Sequence, residues 1–120
     1  MNDINDLAND IAYAITHMER EKREFRMKVI ELILDKVSEP GYTPVDTGNL
    51  RDSWSTIIDY KRDNSLLYNN VEYAPDVEYG HRAGKRFVEG KYMLRNALRD
   101  TEGVIEGEYD QFIERLLRRD

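Results

Sequence analysis

The chain has 120 residues, no cysteine, and a formal charge of −6 from 24 acidic and 18 basic side chains. This length suits one domain, the lack of cysteine excludes disulfides, thiolate metal sites and cysteine nucleophiles, and the negative charge disfavours binding to nucleic-acid phosphates. Since no apolar run nears the roughly 20 residues that cross a bilayer and no secretory signal pattern opens the chain, we expect cytosolic synthesis and no membrane association.

A long amphipathic helix is predicted from Ile4 to Val37, and Glu39-Pro40-Gly41 supplies its stop. An unbroken helix of this length measures about 50 Å, whereas a compact domain of this size is roughly 35 Å across. We therefore expect the helix either to bend in the charged stretch 19–24 or to pack on another subunit. The second alternative is favoured because large apolar residues recur at helical spacing on both sides of that stretch: Ile4, Leu7, Ile11, Ile15, Met18, Phe25, Val29, Leu32 and Ile33.

The segment after the first helix predicts a loop, one helical turn and a β-hairpin. Glycine and proline mark a loop over 41–48, and residues 49–53 fit a single helical turn that Asp46 or Thr47 could cap. Aromatic and β-branched residues then predict strands at Trp54 to Tyr60 and Leu66 to Tyr73, joined by a turn over 61–65.

The last third of the chain predicts a short helical turn, a loop and a helical C-terminus. Residues 76–80 form the turn, with Pro75 at its first position, and the basic, glycine-containing stretch 81–90 predicts a mobile loop. Helical spacing returns from Lys91 onwards. Because Gly103 and Gly107 each cost about 1 kcal/mol inside a helix, we expect two helices or one bent helix there.

These elements predict a single α+β domain made of a long helix (1–39), a loop and hairpin region (40–90) and C-terminal helices (91–120). The helices are expected to pack on one face of a small antiparallel sheet, formed by the hairpin alone or by the hairpin and a third strand. Such a small sheet leaves open edges, which invite pairing with a neighbouring chain.

Catalytic chemistry has one candidate constellation, formed by Asp76, Glu78 and His81 with Asp46 and Asp52 upstream. Carboxylate and imidazole groups of this kind could hold a divalent cation in a small hydrolase or nuclease. With 24 acidic residues in the chain, however, such clusters arise by chance, and the sequence favours carboxylates that cap backbone N–H groups. No triad, phosphate-binding loop or cofactor motif occurs, so we expect no enzyme activity and no cofactor.

Three blocks in a fixed order carry a resemblance: Thr43-Pro44-Val45-Asp46-Thr47-Gly48-Asn49-Leu50-Arg51-Asp52-Ser53, then Val71-Glu72-Tyr73-Ala74-Pro75-Asp76-Val77-Glu78-Tyr79-Gly80-His81, then Tyr92-Met93-Leu94-Arg95-Asn96-Ala97-Leu98. The chain resembles the head-tail joining or tail-completion (neck) proteins of long-tailed bacteriophages and prophages, also called minor tail components. The resemblance covers roughly residues 40 to 100.

The resemblance implies a structural virion protein that assembles with itself as a ring, six subunits being the expected number. This ring would join the head connector or stopper to the tail terminator or tail tube, with a passage for DNA that is not specifically bound. A phage-encoded regulator of a host protein remains an alternative of similar size and acidity.

Two sets of residues follow from this interpretation. The residues expected to determine the fold are Pro44, Val45, Asp46, Thr47, Gly48, Leu50, Arg51, Ser53, Tyr73, Ala74, Pro75, Val77, Glu78, Tyr79 and Gly80. The residues expected to contact other proteins are Phe25, Val29, His81, Arg82, Lys85, Arg86 and Phe87.

Overall fold

Two long helices and two small hairpins make up the computed structural model, which describes residues 4–45, 48–62 and 64–117. In chain order the elements are α1 (Ile4–Val37), α2 (Asn49–Asp52), β1 (Trp54–Asp59), β2 (Asn64–Asn69), α3 (Ala74–Tyr79), β3 (Gly80–Ala83), β4 (Arg86–Glu89) and α4 (Met93–Leu117). The predicted α+β class and the bounds of the long first helix are confirmed.

The helices α1 and α4 run antiparallel and form the long axis of the molecule. His17 lies beside Arg115 near the end of α4, and Val37 packs with Met93 and Ala97 near its start. The Cα radius of gyration is 20.3 Å and the principal extents are 78 × 27 × 24 Å. A compact domain of this length has a radius of gyration of about 14 Å, so the chain is strongly elongated.

The hydrophobic core lies at one end of this axis, where α1 ends and α4 begins. Its buried members are Val37, Leu50, Ala74, Met93 and Ala97, and the half-buried side chains of Tyr42, Trp54, Leu67, Val71 and Val77 pack against them. The first hairpin therefore contributes Trp54 and Leu67 from the face that it turns toward the helices. All four helices and the first hairpin contribute side chains to this core, whereas the second hairpin contributes none of the side chains named here.

The hairpin β1–β2 forms where the sequence predicts it, with Trp54 paired to Asn69 and Asp59 paired to Asn64. Its second strand ends four residues earlier than expected because Asn69 turns the chain. The side-chain amide of Asn69 donates to the carbonyl of Leu50 (2.7 Å) and its oxygen accepts the N–H of Val71 (3.1 Å).

The loop expected over residues 81–90 is wrong. The stretch 81–90 is a second antiparallel hairpin, β3–β4, in which Ala83 pairs with Arg86 across a two-residue turn. Gly84 takes a φ of 66° in that turn, the left-handed conformation that glycine adopts without strain. The composition suggested a loop because most of the hairpin's side chains are exposed, so its strands lack the apolar alternation of a half-buried sheet.

The C-terminal helix is continuous from Met93 to Leu117, so of the two alternatives expected for this region the single helix is found and the division into two helices is not. Gly103 and Gly107 lie within it, and their intrinsic cost is offset by the packing of α4 on α1. The optional third strand does not join the first hairpin within the described residues, where the four strands form two separate two-stranded sheets.

Candidate functional site

The first block of the resemblance forms the junction between α1, α2 and β1. Leu50 is a core residue, Gly48 precedes α2 with a φ of 75°, and the hydroxyl of Ser53 donates to the carbonyl of Asn49 (2.7 Å). Arg51 forms an ion pair with the adjacent Asp52 (3.1 Å). These contacts fix the chain where it passes from helix into sheet.

Other members of that block lie nearer the surface or are not among the residues that the structure describes. Pro44 is half-buried and Val45 is exposed. Asp46 and Thr47, together with their predicted capping role, lie outside the described residues.

Thr43 has a structural role that the sequence did not reveal. It is fully buried, and its hydroxyl donates to the carbonyl of Val37 and accepts the indole N–H of Trp54 (3.0 Å). One side chain thus ties the end of α1 to the start of β1. From the sequence, a threonine directly before a proline suggested only a loop residue. Its structural role could not be seen there because its hydrogen-bond partners are 6 and 11 residues away along the chain.

The second block places α3 against the start of α4. Ala74 is buried, Pro75 is the second residue of α3, and Val77 packs against the core. Tyr73 and Tyr79 are exposed. The carbonyl of Val77 accepts the N–H of Lys91 (2.6 Å), so the chain after the second hairpin returns to α3.

Glu78 caps the N-terminus of α4. Its carboxylate oxygens accept the N–H groups of Leu94 (2.8 Å) and Arg95 (3.3 Å), and its carbonyl accepts that of Tyr92 (3.1 Å). A carboxylate at this position also interacts favourably with the positive end of the helix dipole. The carboxylate of Glu78 therefore performs the backbone capping that the sequence favoured.

Two glycines allow the backbones at the base of the second hairpin to approach closely. A Cβ atom at Gly80, whose φ is 90°, would lie 2.6 Å from the carbonyl oxygen of Val88 and 2.8 Å from the nitrogen of Gly90. A Cβ at Gly90 would collide with the carbonyl of Glu78. Both positions require glycine, so the base of the hairpin lies in close backbone contact with the end of α3.

The metal-site alternative gains no support from this geometry. Within residues 4–45, 48–62 and 64–117, no group of three or more His, Asp or Glu side chains is arranged to hold a metal ion. Glu78 is directed to the helix N-terminus, while Asp76 and His81 line a cleft of about 490 Å³ beside the second hairpin. Apolar side chains of Pro44, Leu50, Val77 and Val88 also line this cleft.

The seam between α1 and α4 contains a partly buried ion pair. Arg115 Nε lies 2.8 Å from a carboxylate oxygen of Glu21, whose side chain is only 9% exposed. The ring of His17 contacts the carbonyl of Arg115 through Nε2 (3.2 Å) and Arg20 through Nδ1 (3.1 Å). Within the described residues, these polar contacts lie two residues before the end of α4 at Leu117.

Next to this ion pair, Phe25 stacks on Phe112 with ring centroids 4.9 Å apart and meets Tyr109 edge-on at 5.9 Å. Its ring therefore contributes to packing within the chain, and Val29 is half-buried in the same helix. The assignment of these two residues to contacts with other proteins stays a prediction, and their packing in this chain makes them weaker candidates than the residues that precede them.

The most exposed apolar surface lies on residues 4–18 of α1, here called the projecting segment. Its apolar stripe consists of Ile4, Leu7, Ile11, Ile15 and Met18, which are between 46% and 84% exposed. The stripe continues the face of α1 that α4 covers farther along, and Leu117, the last described residue of α4, is itself 76% exposed. Monomers seldom expose contiguous apolar surface of this kind unless it is an interaction site.

A second exposed surface is the hairpin β3–β4, here called the basic hairpin. His81, Arg82, Lys85, Arg86 and Phe87 are all exposed, and Phe87 retains 58% of its accessible surface. Glu89 is the one acidic residue between Gly80 and Glu89. All the predicted contact residues of this stretch are thus accessible to a partner.

One exposed hydrogen bond links the loop after α1 to α4. Tyr42 donates its hydroxyl to Asp100 (2.6 Å), which raises the pKa of the tyrosine and lowers the pKa of the carboxyl. A hydrogen bond from Arg99 lowers the pKa of Asp100 further. This contact fastens the loop beside the core.

Comparisons with protein-family models, curated proteins and solved structures return no significant match to this chain. Within the described part of the chain, none of the helices combines the length and apolar character needed to cross a membrane.

Proposed function

We propose that this chain is a structural subunit of a tailed bacteriophage or prophage particle, and that it assembles as a ring at the interface between head and tail. In that position it joins the head connector to the tail tube and surrounds a passage for DNA. The observation that carries the proposal is the exposed apolar stripe of the projecting segment, which a protein working alone would have little reason to keep.

The three sequence blocks support the same assignment. Gly48 and Leu50 of the first block, Glu78 of the second, and Met93 and Ala97 of the third lie in the core or at the junctions that connect the elements of this fold. The resemblance to neck proteins therefore involves residues that connect elements of the fold, and it covers roughly residues 40 to 100.

The charge of the chain suits a passage for DNA. A formal charge of −6 repels phosphates, so DNA moving through a ring of such subunits would not adhere to it. The same charge would weaken a protein that has to hold DNA in place.

Mass spectrometry of purified particles tests the proposal. We expect this chain in particles at a few copies each, in a fixed ratio to the connector and tail-tube proteins. Absence of the chain from particles in which those two reference proteins are readily detected would refute the proposal and favour a regulator that acts inside the host cell.

A further inference from the structure

Two exposed surfaces of opposite charge lie at opposite ends of the molecule. The projecting segment carries Asp6 and Asp10 and no lysine or arginine, whereas the basic hairpin carries Arg82, Lys85 and Arg86 against a single acidic residue. The apolar stripe of the first surface and the exposed ring of Phe87 on the second give each charged surface an apolar component.

The fold prevents these two surfaces from meeting within one chain. The projecting segment leaves the body where His17 contacts Arg115, at the C-terminal end of α4, and the basic hairpin is attached where Glu78 caps the N-terminal end. These points are about 32 Å apart along α4, because 21 residues separate Leu94 from Arg115. Only a second molecule can bring the surfaces together.

We propose that the projecting segment of one copy docks on the basic hairpin of the next copy, head to tail. Asp6 and Asp10 then lie near Lys85 and Arg86, while the stripe covers Phe87 and the mouth of the neighbouring cleft. The apolar part of that cleft, with Pro44, Leu50, Val77 and Val88 in its lining, receives aliphatic side chains of the stripe.

This inference rests on the proposed function, because a closed ring requires a heterologous contact in which two different surfaces of each subunit meet. Pairing of two projecting segments would instead give a two-fold dimer. A parallel pair of that kind would also bring the aspartates of both copies together, whereas the basic hairpin offers them cations.

Charge exchange in the full chain tests the contact, with the dissociation constant of self-association measured by sedimentation. Two exposed charge pairs are worth a few-fold in affinity each, so we expect Lys85→Glu/Arg86→Glu and Asp6→Lys/Asp10→Lys each to weaken association by roughly tenfold. In the variant that carries all four substitutions, the dissociation constant should return to within about threefold of that of the natural chain, since the charges are then exchanged across the same contact. Circular dichroism and Tm establish that each variant is folded.

The matched control is Lys61→Glu/Arg62→Glu, which reverses two exposed cations in the turn of the other hairpin and changes the formal charge by the same amount. We expect this control to leave association unchanged. Equal weakening by the control, failure of the combined variant to recover, or a natural chain that stays monomeric at every soluble concentration would each overturn the contact. None of these results bears on whether the chain is present in particles, so the proposed function is tested separately.

Discussion

At the scale of single residues, Thr43 holds together the junction on which the core is built. Its hydroxyl satisfies both the last carbonyl of α1 and the indole N–H of Trp54, and it is completely buried. We expect Thr43→Val to lower the free energy of unfolding by about 1–3 kcal/mol, because the indole N–H loses its acceptor inside the protein.

Urea unfolding followed by fluorescence measures this loss directly, because Trp54 is the single tryptophan of the chain. Thr43→Ser keeps the hydroxyl and serves as the control, with a smaller loss expected. If Thr43→Val were as stable as the natural chain, the hydroxyl would have no structural role at this junction.

The bond between Tyr42 and Asp100 makes a small, pH-dependent contribution to stability. The pKa of Asp100 is lowered in the folded chain, so its contribution is present above the ordinary value of 3.8 and is lost as pH falls through the lowered pKa. The pKa of Tyr42 is raised, so its contribution is present below 10.0 and is lost as pH rises through the raised pKa.

We therefore expect Tyr42→Phe to reduce the free energy of unfolding between those two pH values and to match the natural chain at lower pH. Unfolding curves recorded across the pH range, with Tyr60→Phe on an exposed turn as the control, measure the difference. A loss that stayed constant down to acidic pH would show that the ring of Tyr42, and not its hydroxyl, makes the contribution.

At the scale of elements, α4 is continuous although it contains two glycines. A Cβ atom at Gly103 or Gly107 would meet nothing within 4 Å, and neither residue takes a positive φ. We expect Gly103→Ala and Gly107→Ala each to raise the free energy of unfolding by about 0.5–1 kcal/mol.

Thermal unfolding measures the gain, and Gly90→Ala provides the contrast because a Cβ there collides with the carbonyl of Glu78. That variant should be clearly less stable than the natural chain. If the alanine variants in α4 lowered Tm instead, the helix would need its glycines for a bend or a close contact.

The ion pair between Glu21 and Arg115 fixes the register of α1 on α4. Because the carboxylate is largely buried, Arg115→Met leaves a charge without its partner, and we expect a loss of about 1–3 kcal/mol in the free energy of unfolding. Lys22→Met removes an exposed pair with Glu19 and should change stability by no more than about 0.5 kcal/mol. Equal losses in the two variants, measured by urea unfolding, would contradict the importance of the buried pair.

The elements that the sequence predicted best are those with strong periodicity. The apolar spacing of α1 and the aromatic and β-branched residues of β1 each follow a local rule, so they could be identified without a structure. The basic hairpin could not be identified in this way, because its side chains are exposed on both faces and its position depends on close approach at Gly80 and Gly90. For the same reason, the role of Thr43 depended on partners that only the fold brings together.

The candidate contact surfaces were partly predictable. Helix length indicated that α1 extends beyond its own domain, and this follows from rise per residue alone. Sequence could not decide which part of the apolar stripe is covered within the chain, because that depends on where α4 ends. From the sequence, Phe25 and Ile11 were therefore equally good candidates for contact with another protein. In the structure the ring of Phe25 packs on Phe112, whereas the side chain of Ile11 is exposed.

At the scale of the whole molecule, the elongated shape and the uncovered stripe describe a chain that is completed by contact with other chains. The projecting segment is the first part of the continuous helix Ile4–Val37, and its exposed stripe lacks the tertiary packing that supplies most of the stability of helices in proteins. Assembly would therefore both cover the apolar surface and stabilise this part of α1.

The most direct measurement is a joining assay in which purified chain is added to a lysate that contains heads and tails but lacks this protein. The natural chain is expected to restore infective particles, and so is Tyr13→Gln, which removes an exposed ring outside the stripe. The variant Leu7→Gln/Ile11→Gln should restore at least about tenfold fewer infective particles, because it removes the centre of the apolar contact. An unchanged Tm would establish that this variant is folded. Full restoration by Leu7→Gln/Ile11→Gln would contradict the account.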